Sequence, residues 1–430
     1  MKRRDFLASL GAAGAALSLP AWLAACGGGS SGSGGGPVTI NWWHISTTDP
    51  AKSMWQDMAN QYMKTHSNVK IKITILENDA FKTKLTTVMQ SGSPPDIFHS
   101  WGGGVLAQYA KAGLVQDLTS SLQGDWGNTF NTAALNVYGN DGHYYGVPWD
   151  MGAVGFWYNK SLFQKAGITT PPAMWTDLLQ AVKSLQKAGI TPISLGEKEK
   201  WPGMYWWTYL AARIGGKAAF DKAYNRTGSF ADAPFLQAGQ HLQELIALKP
   251  FQQGYLGAAY TDEQTTMGTG KAAMELMGQW APAADASNAP DKKGPELGFF
   301  PFPMVEGGAG NPTDVMGGGG GFALGKNAPP EAVDFVKFLT NAQNAQTIAS
   351  KGVGLPPIKS AAQYITDPSS KQIVQLVSNA PYFQLYYDQY LPPAVGQVLL
   401  DQTQGLYAGT ITPQACAKAI DDSVASSLTQ

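Results

Sequence analysis

Between Val38 and Phe98 the hydrophobic period of the chain switches repeatedly, and this alternation constrains the fold more than any other feature. Val69-Lys70-Ile71-Lys72-Ile73-Thr74-Ile75 alternates strictly, which is the period of a strand covered on one face. Val38–Trp43 is another β-rich run, and Pro94-Pro95-Asp96-Ile97-Phe98 opens a third. Between them, Pro50–Thr65 has helical apolar spacing through Met54, Trp55, Met58 and Tyr62, and Phe81–Met89 is helical again. Strand–helix–strand–helix–strand implies an α/β fold with a parallel sheet covered on both faces. In such sheets ligands sit beyond the carboxyl ends of the strands. Here those ends are Trp43-His44 and Ser100-Trp101-Gly102, so the pattern points Trp43 and Trp101 at one crevice.

The first thirty residues obey different rules. Arg3-Arg4 precedes a mildly apolar run that ends in Leu23-Ala24-Ala25-Cys26. The arginine pair resembles a twin-arginine export signal, and the last four residues resemble a bacterial lipobox, in which the peptide is cut before the cysteine and the sulfur is acylated. Residues 1–25 are accordingly read as a signal peptide, and 26–36 as lipidated Cys26 with a Gly/Ser tether that behaves as flexible coil. Acyl chains add about 0.8 kcal/mol per buried methylene, so several chains on Cys26 hold a protein at a membrane surface. The run Phe6–Ala25 is also long enough to span a bilayer. Its Gly and Ala content, Pro20 and the small residues beside a cysteine favour a cleaved leader instead, which leaves the fold reasoning. The expected location is extracytoplasmic, anchored to the bacterial membrane.

The body that follows is too long for one hydrophobic core, so two domains are expected, and 44% hydrophobic residues supply the core material. Without residues 1–25 the chain carries 27 basic against 30 acidic side chains and no basic run, which argues against nucleic acid. Cys416 is then the one free thiol, so no intrachain disulfide framework exists. It lies in a helical-looking stretch, Gln414–Lys418, and reads as a small core residue. His241 and Glu244 have i, i+3 spacing, but a zinc site needs more ligands than one such pair, and no His-Glu-x-x-His is present. No cofactor or metal is expected. A glycosidase needs two carboxylates flanking the scissile bond, and nothing among 31 Asp and Glu residues singles out a pair.

Aromatic residues carry a stronger signal. They make up 11% of the chain against 14% charged residues, and much of the tryptophan lies near turn-like junctions: Trp42-Trp43, Trp101, Trp149, Trp201, Trp206-Trp207 and Trp280. Large aromatics also simply fill cores. Tryptophans at loop mouths, however, suit a sugar, whose C–H face stacks on indole while its hydroxyls seek carboxylates and amides. Gly317–Gly321 is a run of five glycines. It reads either as a flexible surface loop or as backbone brought close to a ligand or a hinge. No Gly-Lys-Ser/Thr follows it, so a phosphate role is not expected.

Several segments in order resemble one family. They are Trp42-Trp43-His44, Gly92-Ser93-Pro94-Pro95-Asp96-Ile97, Asp141–Pro148, Trp157–Lys160 with Phe163–Ile168, Pro171-Pro172 with Trp175–Leu178, Gly270–Met274 with Gly278-Gln279-Trp280, and Glu331–Leu339. Together they resemble the bacterial extracellular solute-binding proteins, family 1, of the maltose-binding type, which deliver carbohydrates to ABC importers. The resemblance implies a periplasmic-binding-protein type II fold: two discontinuous α/β lobes with a hinge and a central ligand cleft. It places one lobe at 37–148 plus 290–342 and the other at 149–289 plus 343–430.

The resemblance also implies a monomer that binds a sugar or oligosaccharide without turnover and presents it to the importer's membrane subunits. Trp280 matches the tryptophan that packs on a sugar ring, and Asp150 and Asp388 are expected to accept hydrogen bonds from sugar hydroxyls. The candidate ligand-binding set is completed by Trp43, His44, Trp101, Trp149, Trp201, Gly319 and Tyr387. The alternatives are the same fold with another ligand, such as a polyamine or metal chelate, and a secreted carbohydrate-active enzyme. The sequence departs from the maltose-binding pattern around Asp150 and Asp388, which leaves the particular sugar open.

Overall fold

The structure is a computed structural model in which residues 36–428 are described; the leader, Cys26 and the tether as far as Gly35 lie outside them. In chain order the strands are β1 (Val38–His44), β2 (Val69–Ile75), β3 (Ile97–Ser100), β4 (Gly139–Asn140), β5 (His143–Tyr144), β6 (Gly146–Pro148), β7 (Gly152–Ala153), β8 (Gly155–Asn159), β9 (Thr191–Ile193), β10 (Ala272–Met277), β11 (Leu297–Phe300), β12 (Val315–Gly318), β13 (Gly321–Leu324) and β14 (Phe383–Leu385). The periodic segments become the expected elements, with helices at Ala51–Thr65 and Asn78–Gln90 between the first three strands.

The first sheet has the order β2-β1-β3-β13-β6. β1 runs parallel to β2 and β3, but β13 pairs antiparallel with both β3 and β6. The all-parallel sheet read from the first strands is therefore mixed. Its fourth strand arrives from residue 321, and no local pattern announces that pairing. Both faces are covered, as alternation along each strand requires. Ile40, Trp42, Phe322 and Leu324 face one core with Trp55 and Phe335, whereas Phe98 and Ala323 face the other with Phe81 and Leu85.

The second lobe is built on the sheet β11-β8-β10-β9 and the small sheet β14-β12-β7. Its largest buried element is the helical segment Trp201–Tyr224, broken by a kink at Gly216, where Trp206 and Trp207 fill the core. Asn159 ends β8 and caps the next helix, its Oδ1 accepting from the backbone N–H groups of Ser161 (3.1 Å) and Leu162 (3.2 Å). Cys416 is fully buried, and burial pushes its thiol up to about 12.

The lobe boundaries need correction. Residues 290–342 do not all join the first lobe, because β11 pairs with β8 and β12 pairs with β7 and β14; the return to the first sheet begins only at β13. Nor does 343–430 belong wholly to the second. Ala345, Ile348, Val353, Ile358 and Ala361 pack in the first lobe's core.

Three segments cross between the lobes side by side. Trp149 N and Asp150 N both donate to Gly320 O (2.9 and 3.1 Å), and Met151 N donates to Leu355 O (3.0 Å). The glycine run is thus a buried crossing segment that links β12 to β13, and not a surface loop. A Cβ on Gly319 would lie 2.0 Å from the Asp150 carbonyl oxygen, and one on Gly320 would meet the His99 and Trp149 rings at 2.6 Å. Close approach, rather than an unusual backbone angle, demands glycine there.

Candidate ligand-binding cleft

A cavity of about 220 Å³ opens where the carboxyl ends of the first parallel strands face the second lobe. Residues 45–51 follow β1, Glu77 and Asn78 follow β2, and His99 and Trp101 stand at the end of β3. Trp149 and Asp150 enter from the crossing segment. The opposite wall carries Trp201, Tyr205, Tyr260, Trp280 and Tyr386.

That second wall is an interlocked set of rings. Trp201 meets Tyr260 at 4.7 Å and Tyr205 at 5.6 Å, Tyr205 meets Tyr386 at 5.5 Å, and Trp280 meets Tyr386 at 6.4 Å. Trp280 Nε1 donates to the Tyr260 hydroxyl (2.8 Å), which fixes the indole. Rings held this way lose little freedom when a ligand stacks on them. On the first wall Trp101 lies edge-on to His99 at 4.5 Å, and Trp149 packs edge-on against Trp55 at 5.1 Å.

Four polar atoms at this cavity are buried without a protein partner: Asn78 Oδ1, His99 Nε2, Trp201 Nε1 and the Tyr386 hydroxyl. Unpaired buried polar groups are costly and uncommon, so several at one cavity mark a place where a ligand supplies hydrogen bonds. Burial pushes the His99 imidazole down to about 3, so the ring is neutral and presents one donor and one acceptor nitrogen.

The charged groups are mostly engaged by the protein. Asp150 is 3% exposed. Its Oδ1 accepts from Leu355 N and its Oδ2 from Gln279 Nε2, both at 2.7 Å. Burial raises its carboxyl to about 7 against these hydrogen bonds. Asp388 Oδ2 accepts from Lys82 Nζ (3.2 Å) and Gln389 Nε2 (2.7 Å).

Of the sequence candidates, Trp101, Trp149, Asp150, Trp201, Trp280, Gly319 and Asp388 line this one cavity. Three others lie elsewhere. Strand alternation turns Trp43 to the face covered by the helix Asn78–Gln90, where Lys84 Nζ sits 4.7 Å from its ring centroid. His44 is buried edge-on to Trp42 at 5.0 Å, its Nδ1 accepting from Ser46 N. Tyr387 is 1% exposed and packs on Phe220 in the second-lobe core, while its neighbour Tyr386 faces the cavity. Sequence reasoning missed His99, Asn78, Tyr205, Tyr260 and Tyr386. The strand-end rule that selected Trp101 also reaches His99, and Tyr205 lies one helical turn beyond Trp201.

Comparison with known proteins agrees with this geometry. Residues 45–346 match the family model described as bacterial extracellular solute-binding protein. The chain belongs to that family. The diacetylchitobiose binding protein of Streptomyces coelicolor is 27% identical over 381 residues, 84% of this chain and 83% of that protein. A structure solved in work on xylan utilization by the thermophilic Caldanaerobius polysaccharolyticus has a TM-score of 0.84 and 31% identity, covering 89% of this chain and 99% of that one. A chitin oligosaccharide binding protein also reaches a TM-score of 0.84, at 25% identity over 92% of this chain and 100% of its own. This solute-binding protein therefore has the periplasmic-binding-protein type II fold, two discontinuous α/β lobes around a central cleft. Among the described residues no helix is long and apolar enough to cross a membrane.

Proposed function

We propose that this solute-binding protein captures a neutral sugar or oligosaccharide between its lobes and delivers it to an ABC importer. One observation carries the reading: an aromatic-walled cavity in which Asn78, His99, Trp201 and Tyr386 each hold a buried polar atom without a protein partner. Indole and phenol faces suit the C–H face of a pyranose, and the unpartnered atoms suit its hydroxyls. Lys82 is already paired with Asp388, so no free cation among the lining residues favours an anionic ligand. Names borne by the relatives support the same class, since they bind diacetylchitobiose and chitin oligosaccharides.

In this reading a twin-arginine-like leader directs export, the lipid on Cys26 anchors a monomer to the extracytoplasmic side of the bacterial membrane, and the Gly/Ser tether lets it reach the importer's membrane subunits. Binding proceeds without turnover. Incubation with labelled neutral oligosaccharides, followed by thermal shift and product analysis, tests this. Saturable stabilisation with intact ligand is expected. Released products assign an enzyme instead, and stabilisation by a polyamine alone assigns a different solute.

A further inference from the structure

A second cavity, about 150 Å³, adjoins the first, and Lys82, His99, Trp101, Asp388 and Gln389 line both. Side-chain contacts form the partition. Lys82 Nζ lies 3.2 Å from Asp388 Oδ2 and 5.1 Å from the Trp101 ring centroid. Beyond it, Phe81, Leu85 and Phe98 of the first lobe face Pro393 and Leu400 of the second, with Thr86, Tyr109 and Gln397 adding polar groups. This second cavity repeats the chemistry of the first on a smaller scale: apolar and aromatic surface, hydroxyls and an amide, and no unpaired charge.

We propose that the second cavity is a further sugar subsite, closed in this structure by the Lys82–Asp388 pair, and this rests on the reading of the cleft as a sugar site. A chain long enough to pass Trp101 parts the pair, gives hydroxyl partners to the ammonium and the carboxylate, and seats one more ring against the half-buried Tyr109, Pro393 and Leu400, behind which Phe81 and Phe98 close the core. Lys82 is 30% exposed but Asp388 is 7% exposed, so the pair opens only if the entering chain itself supplies hydrogen bonds to the buried carboxylate, which keeps the one from Gln389 Nε2. Charge-assisted hydrogen bonds to hydroxyls replace what is lost.

The test is calorimetric titration with β-1,4-linked xylose and N-acetylglucosamine oligosaccharides of increasing length. The parent, Thr86→Trp and Gln397→Trp are compared; both substituted side chains are exposed and line only the second cavity. In the parent, affinity should rise by roughly three- to tenfold at the length that first reaches the second cavity. The tryptophan variants should lose that step and bind shorter chains as the parent does. Absence of a step in the parent, or the same step in the variants, overturns the subsite while leaving the sugar reading intact. Binding of neither series overturns the subsite for β-1,4-linked chains; the sugar reading falls with it only if the neutral-oligosaccharide screen also finds no binder. A crystal structure with the longest binder should show Lys82 and Asp388 apart; an intact pair overturns the proposal.

Discussion

Asp150→Asn is the substitution whose outcome the structure fixes most tightly. Asp150 sits where the three crossing segments meet, tied to Leu355 on one and, through Gln279, to Gly318 on another. Burial raises its carboxyl from the reference 3.8 to about 7. The sign follows directly. The unfolded chain releases this proton near its ordinary value, while the folded protein holds it to about 7. The protonated group's contribution is complete below the unfolded value, declines as pH rises, and is lost above the folded value. A shift of about three units corresponds to ~4 kcal/mol, of which ~3 falls between about pH 4.5 and 8.5.

Asparagine keeps the acceptor for Leu355 N, and Gln279 Oε1, buried without a partner, can receive the new amide after the Gln279 side chain flips. Glu197, Glu263, Glu275 and Asp285 are also raised by burial, so parent and variant share their contribution to the pH slope. The difference between the two proteins isolates Asp150. Urea unfolding followed by tryptophan emission across that pH range should show the variant gaining on the parent by ~3 kcal/mol. Parallel curves for the two proteins would refute the argument that Asp150 is held protonated at the crossing.

Trp280→Ala should weaken sugar binding by ~1–3 kcal/mol in calorimetry while the protein stays folded, because the indole is a fixed platform in the cleft wall. Tyr386→Phe removes a buried hydroxyl without a partner. It should raise unliganded stability in urea unfolding and weaken binding by about 1 kcal/mol, opposite signs that a purely structural hydroxyl cannot produce. Gly319→Ala places a Cβ 2.0 Å from the Asp150 carbonyl oxygen. It should cost ~1–3 kcal/mol by overpacking, seen as a lowered melting temperature. Ligand titration should shift tryptophan emission and reduce the radius of gyration, since Trp101 and Trp201 stand on opposite walls. The response should depend weakly on salt, and an unchanged radius at saturation argues against lobe closure.

What the sequence made legible, and what it hid, divides along the range of the interactions involved. The periods of Val69–Ile75 and Pro50–Thr65 report which face of a local element is covered, and those elements form where read. Trp101 was reachable because a strand-end rule needs only the strand. The same rule misplaced Trp43, since it says where a strand ends and not which way its last side chains turn; the helix Asn78–Gln90 covers that face. Tyr386 and Tyr387 show the limit most plainly. Two adjacent tyrosines carry the same chemistry, and only the packing of Tyr387 on Phe220 decides which one reaches the cleft. The lobe boundaries failed for a related reason, because β11, β12 and β13 pair with β8, β7 and β3, each more than a hundred residues away. The glycine run was visible but ambiguous until its neighbours were known. Loop glycines and crossing-segment glycines look alike in a sequence, and only the Asp150 carbonyl beside Gly319 separates them. Asp150 itself then acquires a role that its sequence position beside Pro148-Trp149 did not suggest. It lines the cleft and also ties the crossing segments together, so contact with a ligand there acts on the same group that joins the lobes.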